Sequence, residues 1–223
     1  MKKTFYSILA IVTIATLAIS CKKSDATTTP AYTCAACKTT PDAVAANDAS
    51  NKGVYKGVVI GSTGTIMFNL ANSGTTITAV MVIDGVTVNL TSAVSITFSV
   101  SALGANPTVT TSSIPGHPSS SFAIIKETSA SLVECFEGTY STTKPETGTF
   151  NLILSRSLKL HGGASRKDGT TTSNSFNGTI NANNELIDVP SNNYLATLSG
   201  DVLSGKFADG NGSTVTVTGK RTF

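Results

Sequence analysis

The sequence predicts an all-β fold: an antiparallel meander over residues 51–223 that closes into a β-barrel or a strongly rolled β-sandwich, after a signal peptide and a flexible tether. Three observations predict it. From Gly53 onward apolar residues recur with a period of two rather than 3.6. Turn-forming runs punctuate the pattern at Asn72-Ser73-Gly74, Asp84-Gly85, Asp168-Gly169 and Asp209-Gly210-Asn211-Gly212. The composition is polar without being charged: 40% of the 223 residues are hydrophobic and only 13% are Asp, Glu, Lys or Arg. Soluble domains are normally about a quarter charged, so the solvated faces here must be built from Thr, Ser and Asn.

Each strand follows from that pattern. Val80 to Leu90 is the cleanest passage, two strand-like runs around Asp84-Gly85, a pair that tolerates positive φ and suits a two-residue type I′ hairpin. Ile66/Phe68/Leu70, Val94/Ile96/Phe98/Val100, Phe150/Leu152/Leu154 and Val215/Val217 alternate with Thr, Ser or Asn, as strands with one buried and one wet face require. At the usual five to six residues each, roughly ten to twelve strands fit. No segment after Asn51 reads as an amphipathic helix. Before it, Thr40-Pro41-Asp42-Ala43-Val44-Ala45-Ala46-Asn47 offers a cap, a Pro and an early acid, which predicts a helix of about two turns.

A weak internal repeat favours barrel over sandwich. Tyr55-Lys56-Gly57-Val58-Val59, Phe136-Glu137-Gly138-Thr139-Tyr140 and Phe176-Asn177-Gly178-Thr179-Ile180 share an aromatic-x-Gly-x-apolar pattern, and Leu203-Ser204-Gly205-Lys206-Phe207 is a looser relative. Gly inside a strand permits a sharp bend that a neighbouring ring can cover, and such bends let a sheet roll up and lose its edges.

The N-terminus predicts a destination. Lys2 and Lys3 precede an apolar run from Phe5 to Ile19, shorter than the ~20 residues a spanning helix needs. It ends in Leu17-Ala18-Ile19-Ser20-Cys21, which resembles a relaxed lipobox of bacterial lipoproteins. That resemblance, to Gram-negative outer-membrane or surface lipoproteins with a small β-barrel-like domain, implies cleavage after residue 20 and a covalent lipid on Cys21. The absence of Asp directly after Cys21 implies the outer membrane, on its periplasmic or its outer side. Leu198 to Phe207 and Val217 to Phe223 are similar to the closing strands of small barrels on such proteins. Residues 21–50 then read as a lipidated tether. Removing Lys2 and Lys3 from the 16 basic residues leaves 14 against 13 acidic ones, a nearly neutral body.

Cys34-Ala35-Ala36-Cys37-Lys38 is open to several readings. Haem c attachment would need His where Lys38 stands, and a thioredoxin-like pair would need a βαβ setting. Metal binding would need a further ligand that the sequence does not identify. A local disulfide, or an oxidisable pair, in an oxidising compartment is the plain reading. Cys135, in a strand-like run, reads as a small buried hydrophobe.

The function classes narrow mostly by exclusion. There is no dense basic stripe and little aromatic supply, which argues against nucleic acid. G-x-S-x-G, H-E-x-x-H and P-loop motifs are absent, so no catalytic residue, metal ligand or cofactor beyond the Cys21 lipid is expected. Asp209 to Ser213 resembles alternating Ca²⁺ ligands, but Lys220 stands where the closing acid should be, so it reads as a turn. Glu134 and Glu137, three apart in a strand, should face opposite ways.

The expected protein is a non-enzymatic anchored lipoprotein that binds a small ligand, a glycan or an envelope protein through loops or barrel mouth. A structural or envelope-assembly module, and a glycan-acting enzyme, are the alternatives. Two segments lack a strand pattern and are candidate contact loops: Ala105 to Ser121, with His117, and Arg156 to Asp168, with Arg156, Lys159, His161, Arg166 and Lys167. The latter group would suit an anionic headgroup, a polyanionic glycan or an acidic partner. Anchoring is tested by Cys21→Ser, which should abolish incorporation of labelled fatty acid and move the protein to the soluble fraction. Membrane retention of the unlabelled variant would refute it.

Overall fold

The computed structural model describes residues 32–90, 96–99, 108–111, 120–189 and 191–223. The signal segment, Cys21 and His117 lie outside the described residues. Seven strands form one antiparallel sheet: β1 (Gly53–Ile60), β2 (Gly64–Leu70), β3 (Ile77–Ile83), β4 (Val86–Leu90), β5 (Ile96–Ser99), β6 (Thr108–Thr111) and β7 (Ser120–Lys126). Their order is β4-β3-β2-β1-β7-β6-β5. Eight more close into a barrel: β8 (Glu134–Thr142), β9 (Thr147–Ser155), β10 (Leu160–Lys167), β11 (Ser173–Ile180), β12 (Glu185–Asp188), β13 (Tyr194–Ser199), β14 (Val202–Ala208) and β15 (Thr214–Arg221). Neighbours in sequence pair antiparallel, and β15 returns to β8 in the register Val217↔Tyr140. The all-β barrel expected from the sequence is therefore present, in the second half of the β-body.

Strand number and three local expectations need correction. Fifteen strands are described, not ten to twelve. β6 and the start of β7 fall inside the supposed Ala105–Ser121 loop, and β10 occupies most of the supposed Arg156–Asp168 loop. The sequence hides β10 because Gly162 and Gly163 interrupt its alternation. The predicted two-turn helix is only a 3₁₀ turn, Ala45–Asn47. Its would-be first turn is held by other partners. The Asp42 N–H donates to Glu127 Oε2 (2.6 Å), the Val44 N–H to Asn72 Oδ1 (3.1 Å), and Asn72 Nδ2 to the Asp42 carbonyl (2.9 Å). Where side chains satisfy the backbone, the helical hydrogen bonds lose their advantage. The Asp84-Gly85 hairpin forms as the pattern requires, with φ of 47° and 78° joining β3 to β4.

β1 has two buried faces. One contributes Tyr55 and Val59 to a cluster with Ile66, Phe68, Ala79, Met81, Ile83, Phe122 and Ile124, drawn entirely from the first sheet. The other turns toward the barrel, where Val58, Ala123 and Ile125 meet Val133, Cys135 and Ile153. Polar groups stitch this junction: Asn151 Nδ2 donates to the Val59 carbonyl (2.9 Å) and Arg166 to the Gly61 carbonyl (2.5 Å).

At one end of the junction a lysine is buried with a glutamate. Lys56 is 1% exposed and Glu127 is fully buried, their charged atoms 2.7 Å apart. Glu127 also accepts the Val133 N–H (3.1 Å), and Lys56 lies 3.2 Å from Asp42 and 5.2 Å above the Phe223 ring. Burial disfavours the charged form of Asp42, yet Lys38 and Lys56 outweigh it and hold its carboxyl below the usual range. Removing one member of a buried pair strands the other, at a cost of about 3–5 kcal/mol, whereas apolar replacement of both is often neutral. Lys56→Met should therefore lower the urea-unfolding free energy by that amount. Adding Glu127→Gln, which removes the stranded charge but keeps an acceptor for the Asp42 and Val133 N–H groups, should restore much of it. A single variant as stable as the parent would contradict the pairing.

Candidate functional site

The barrel interior is shaped by places where a side chain would not fit. A Cβ at Gly138 would lie 2.1 Å from the Thr218 carbonyl oxygen and 2.6 Å from the Phe150 ring, and one at Gly219 would lie 2.8 Å from the same ring. Gly148 stands in the same relation to Tyr140, and Gly163 to Phe176. These contacts lay the rings against bare backbone instead of pointing them across the lumen.

The base of the barrel is plugged. Phe136, Leu154, Ile180 and Leu198 belong to the apolar fill, and Arg221, 5% exposed, lies beneath them. Arg221 sits 3.3 Å from Glu134 and 3.4 Å from Asp201, and Arg156 bonds Glu134 at 2.7 Å. As expected from their spacing, Glu134 and Glu137 face opposite ways: Glu134 enters this cluster, while Glu137 accepts an N–H from Gly64 at the junction.

The tether is fastened to this base from Tyr32 onward, which corrects the flexible reading for that part. Tyr32 donates to the Arg221 carbonyl (2.9 Å) under Lys220, Cys34 N–H donates to Asp201 (2.8 Å), and Arg221 reaches the Lys38 carbonyl. Cys34 and Cys37 are joined by a disulfide, their Cα atoms 5.3 Å apart. Cys135 is buried in the junction, its thiol pushed up to about 12 by desolvation.

The opposite end is open. A cavity of about 360 Å³ reaches in from the mouth, walled by Phe150, Leu152, Phe176, Leu186, Leu203 and Val217. Nearer the rim it meets Tyr140, Thr142, Ser165 and Asn174, with the carboxylates of Glu146, Asp188 and Asp209. Each carboxylate braces a turn or strand end. Glu146 pairs with Lys167 at 2.9 Å and accepts from Tyr140 (3.3 Å). Asp188 accepts the Ser191 hydroxyl, and Asp209 Oδ1 accepts the Asn211 and Ser213 N–H groups at 2.9 and 2.7 Å. The latter is a hairpin turn. Burial, followed by the Glu146 charge, pushes the Tyr140 hydroxyl upward, while hydrogen bonding to Lys167 holds Glu146 below the usual range despite slight desolvation.

The five basic candidates do not form one patch. Arg156 is spent on Glu134 and the Gly200 carbonyl at the base, and Lys159 sits in the β9–β10 turn with φ 54°. Arg166 faces the junction and Lys167 the mouth. β10 is about 25 Å long at ~3.3 Å per residue, so its two ends are screened from each other in physiological salt. His161 is corrected most sharply: it is inside the barrel, 1% exposed. It spans the space left by Gly178 and its Nε2 contacts the Ile187 carbonyl at 3.1 Å, beside the register shift at Leu186/Ile187. Sequence reasoning missed the cavity itself, because its wall residues carry the same alternation as a filled core.

Comparison with protein-family models, curated proteins and solved structures gave no match to this chain.

Burial dominates at His161 and lowers its pKa, against smaller opposing effects of the Ile187 hydrogen bond and Asp188. The unfolded chain therefore takes up this proton first as pH falls. The stability lent by the neutral ring is complete above the unfolded value of about 6.5 and is lost below it, by at most about 1.4 kcal/mol per pH unit. His161→Gln should flatten the pH dependence of urea unfolding between pH 7 and 5 relative to the parent. Parallel curves for the two proteins would refute this role.

Proposed function

We propose that this chain is a non-enzymatic, lipid-anchored protein of the bacterial outer membrane whose barrel takes a small, largely apolar ligand through its open end. The cavity carries the reading. Its 360 Å³ falls within the ~300–1,000 Å³ range of small-molecule sites, and an apolar wall with a few convergent polar groups is the usual make-up of one. The plugged base and fastened Tyr32–Lys38 segment leave the mouth as the way in. The anchor follows from Lys2, Lys3, the apolar run and Cys21. A purely structural or envelope-assembly role gives no account of an open apolar cavity. A glycan-acting enzyme needs a protonated acid beside its second carboxylate, and Lys167 favours the ionised form of Glu146 instead.

The test is titration of the purified protein with Nile red, a neutral dye that brightens in apolar surroundings. Saturable binding by the parent, reduced at least about tenfold in Val217→Trp, whose indole would fill the cavity, is the expected result. Thermal unfolding of the variant verifies that the barrel remains. No saturable binding by the parent, or equal binding by a folded Val217→Trp, would overturn the proposal.

A further inference from the structure

We infer that the ligand of the barrel mouth is an amphiphile with a cationic head, an inference that rests on the ligand-binding reading above. The cavity is divided by depth. Its wall of Phe150, Leu152, Leu186, Ala196, Leu203 and Val217 offers an alkyl or ring body only dispersion contacts and escape from water. The polar groups that could orient a head are Thr142, Ser165, Asn174 and three carboxylates, Glu146, Asp188 and Asp209. Among the described residues, no Lys or Arg lines the cavity.

The charge balance of this rim differs from that of the body. Lys167 offsets Glu146, but the pair is exposed, its side chains 53% and 37% accessible, so the lysine can be exchanged for another cation at little cost. Asp188 and Asp209 are held by a Ser191 hydroxyl and by backbone N–H groups, neutral donors that leave the negative charge in place. A carboxylate has about four acceptor sites, so these bonds leave room for a further donor. An ammonium head placed among these groups gains charge-assisted hydrogen bonds while its apolar body fills the wall. A carboxylate or phosphate head would meet three carboxylates against two exposed lysines, Lys167 held on Glu146 and Lys144 on the Asn211 carbonyl. This reverses the anionic preference expected from the basic residues of β10.

Three probes sharing a ten-carbon chain separate the possibilities: decylamine, decanol and decanoate, each below its micelle-forming concentration, displacing Nile red at pH 7 and low salt. Decylamine should displace the dye at a concentration at least about tenfold below that of decanoate, with decanol between them. Half-molar salt should narrow the gap, because exposed charges are screened. In Asp188→Asn/Asp209→Asn the ratio of the two charged probes should fall below about threefold. That ratio is internal to each protein, so it does not depend on how much of the variant is folded. Decanoate binding as well as decylamine, or a salt-insensitive gap, would overturn the inference while leaving the cavity a ligand site. If Nile red and all three probes fail to bind the parent, the ligand-binding reading fails with it.

Discussion

Closure of the eight-stranded barrel depends on positions that cannot carry a side chain. At Gly138, Gly163 and Gly178 the nearest backbone oxygen lies within about 2 Å of where a Cβ would be, so even alanine would push two strands apart. Strands that approach so closely bend tightly, and tight bending lets β15 meet β8. The same vacancies decide what fills the lumen. Phe150, Tyr140 and Phe176 lie against exposed glycine backbone, and His161 crosses Gly178 to reach a carbonyl at a bulge. With ordinary side chains at those positions the strands could not approach so closely, and the barrel would not close in this form. As built, it is solid at the base and open at the mouth.

The two ends also treat charge differently. At the base Arg221, Glu134, Arg156 and Asp201 form an interleaved cluster, and beside it Lys56 and Glu127 are removed from water altogether. Buried ions of this sort add little net stability. What ties the first sheet to the barrel is the Val133 N–H on Glu127, the Lys56 ammonium over the Phe223 ring, and the Asn151 and Arg166 bonds to the Val59 and Gly61 carbonyls. At the mouth the carboxylates remain hydrated and brace turns through short local bonds. The rigid end holds the chain together; the hydrated end is left with charge that is still available to a visitor.

What the sequence discloses depends on whether an element's surroundings are local. Asp84-Gly85 needs only its own backbone freedom and its flanking alternation, so the hairpin is legible from eleven residues. The aromatic-x-Gly pattern is legible for the same reason, since ring and glycine are near neighbours. β10 is not, because its inward positions are His161, Gly163 and Ser165 rather than large apolar residues, and the alternation that marks a strand is carried by strands on either side of it. Lys56 reads as a wet position between Tyr55 and Gly57, yet a second layer buries it. The helix expected from Thr40-Pro41-Asp42 obeys every local rule and is overridden by Asn72 and Glu127, both distant in sequence. The open mouth is invisible in the same way: Val215 and Val217 look identical whether they face a neighbour or a space.

The pairing of β15 with β8 has a consequence for how the chain reaches this state. Six strands separate the two, and every other pairing in the barrel joins consecutive strands. β8 must therefore carry an unsatisfied row of amides and carbonyls until the last strand has been added, and such edges invite pairing with other chains. Long-range closure of this kind is also slow, because loop entropy is lost before the contacts that reward it form. For a chain that emerges in order from its first residue, β8 is the segment most in need of shelter, and the first sheet, already laid along the outward faces of β8 and β9 through Val58, Cys135 and Ile153, is the surface that can give it. The earlier half of the molecule would then act as a scaffold in time as well as in space.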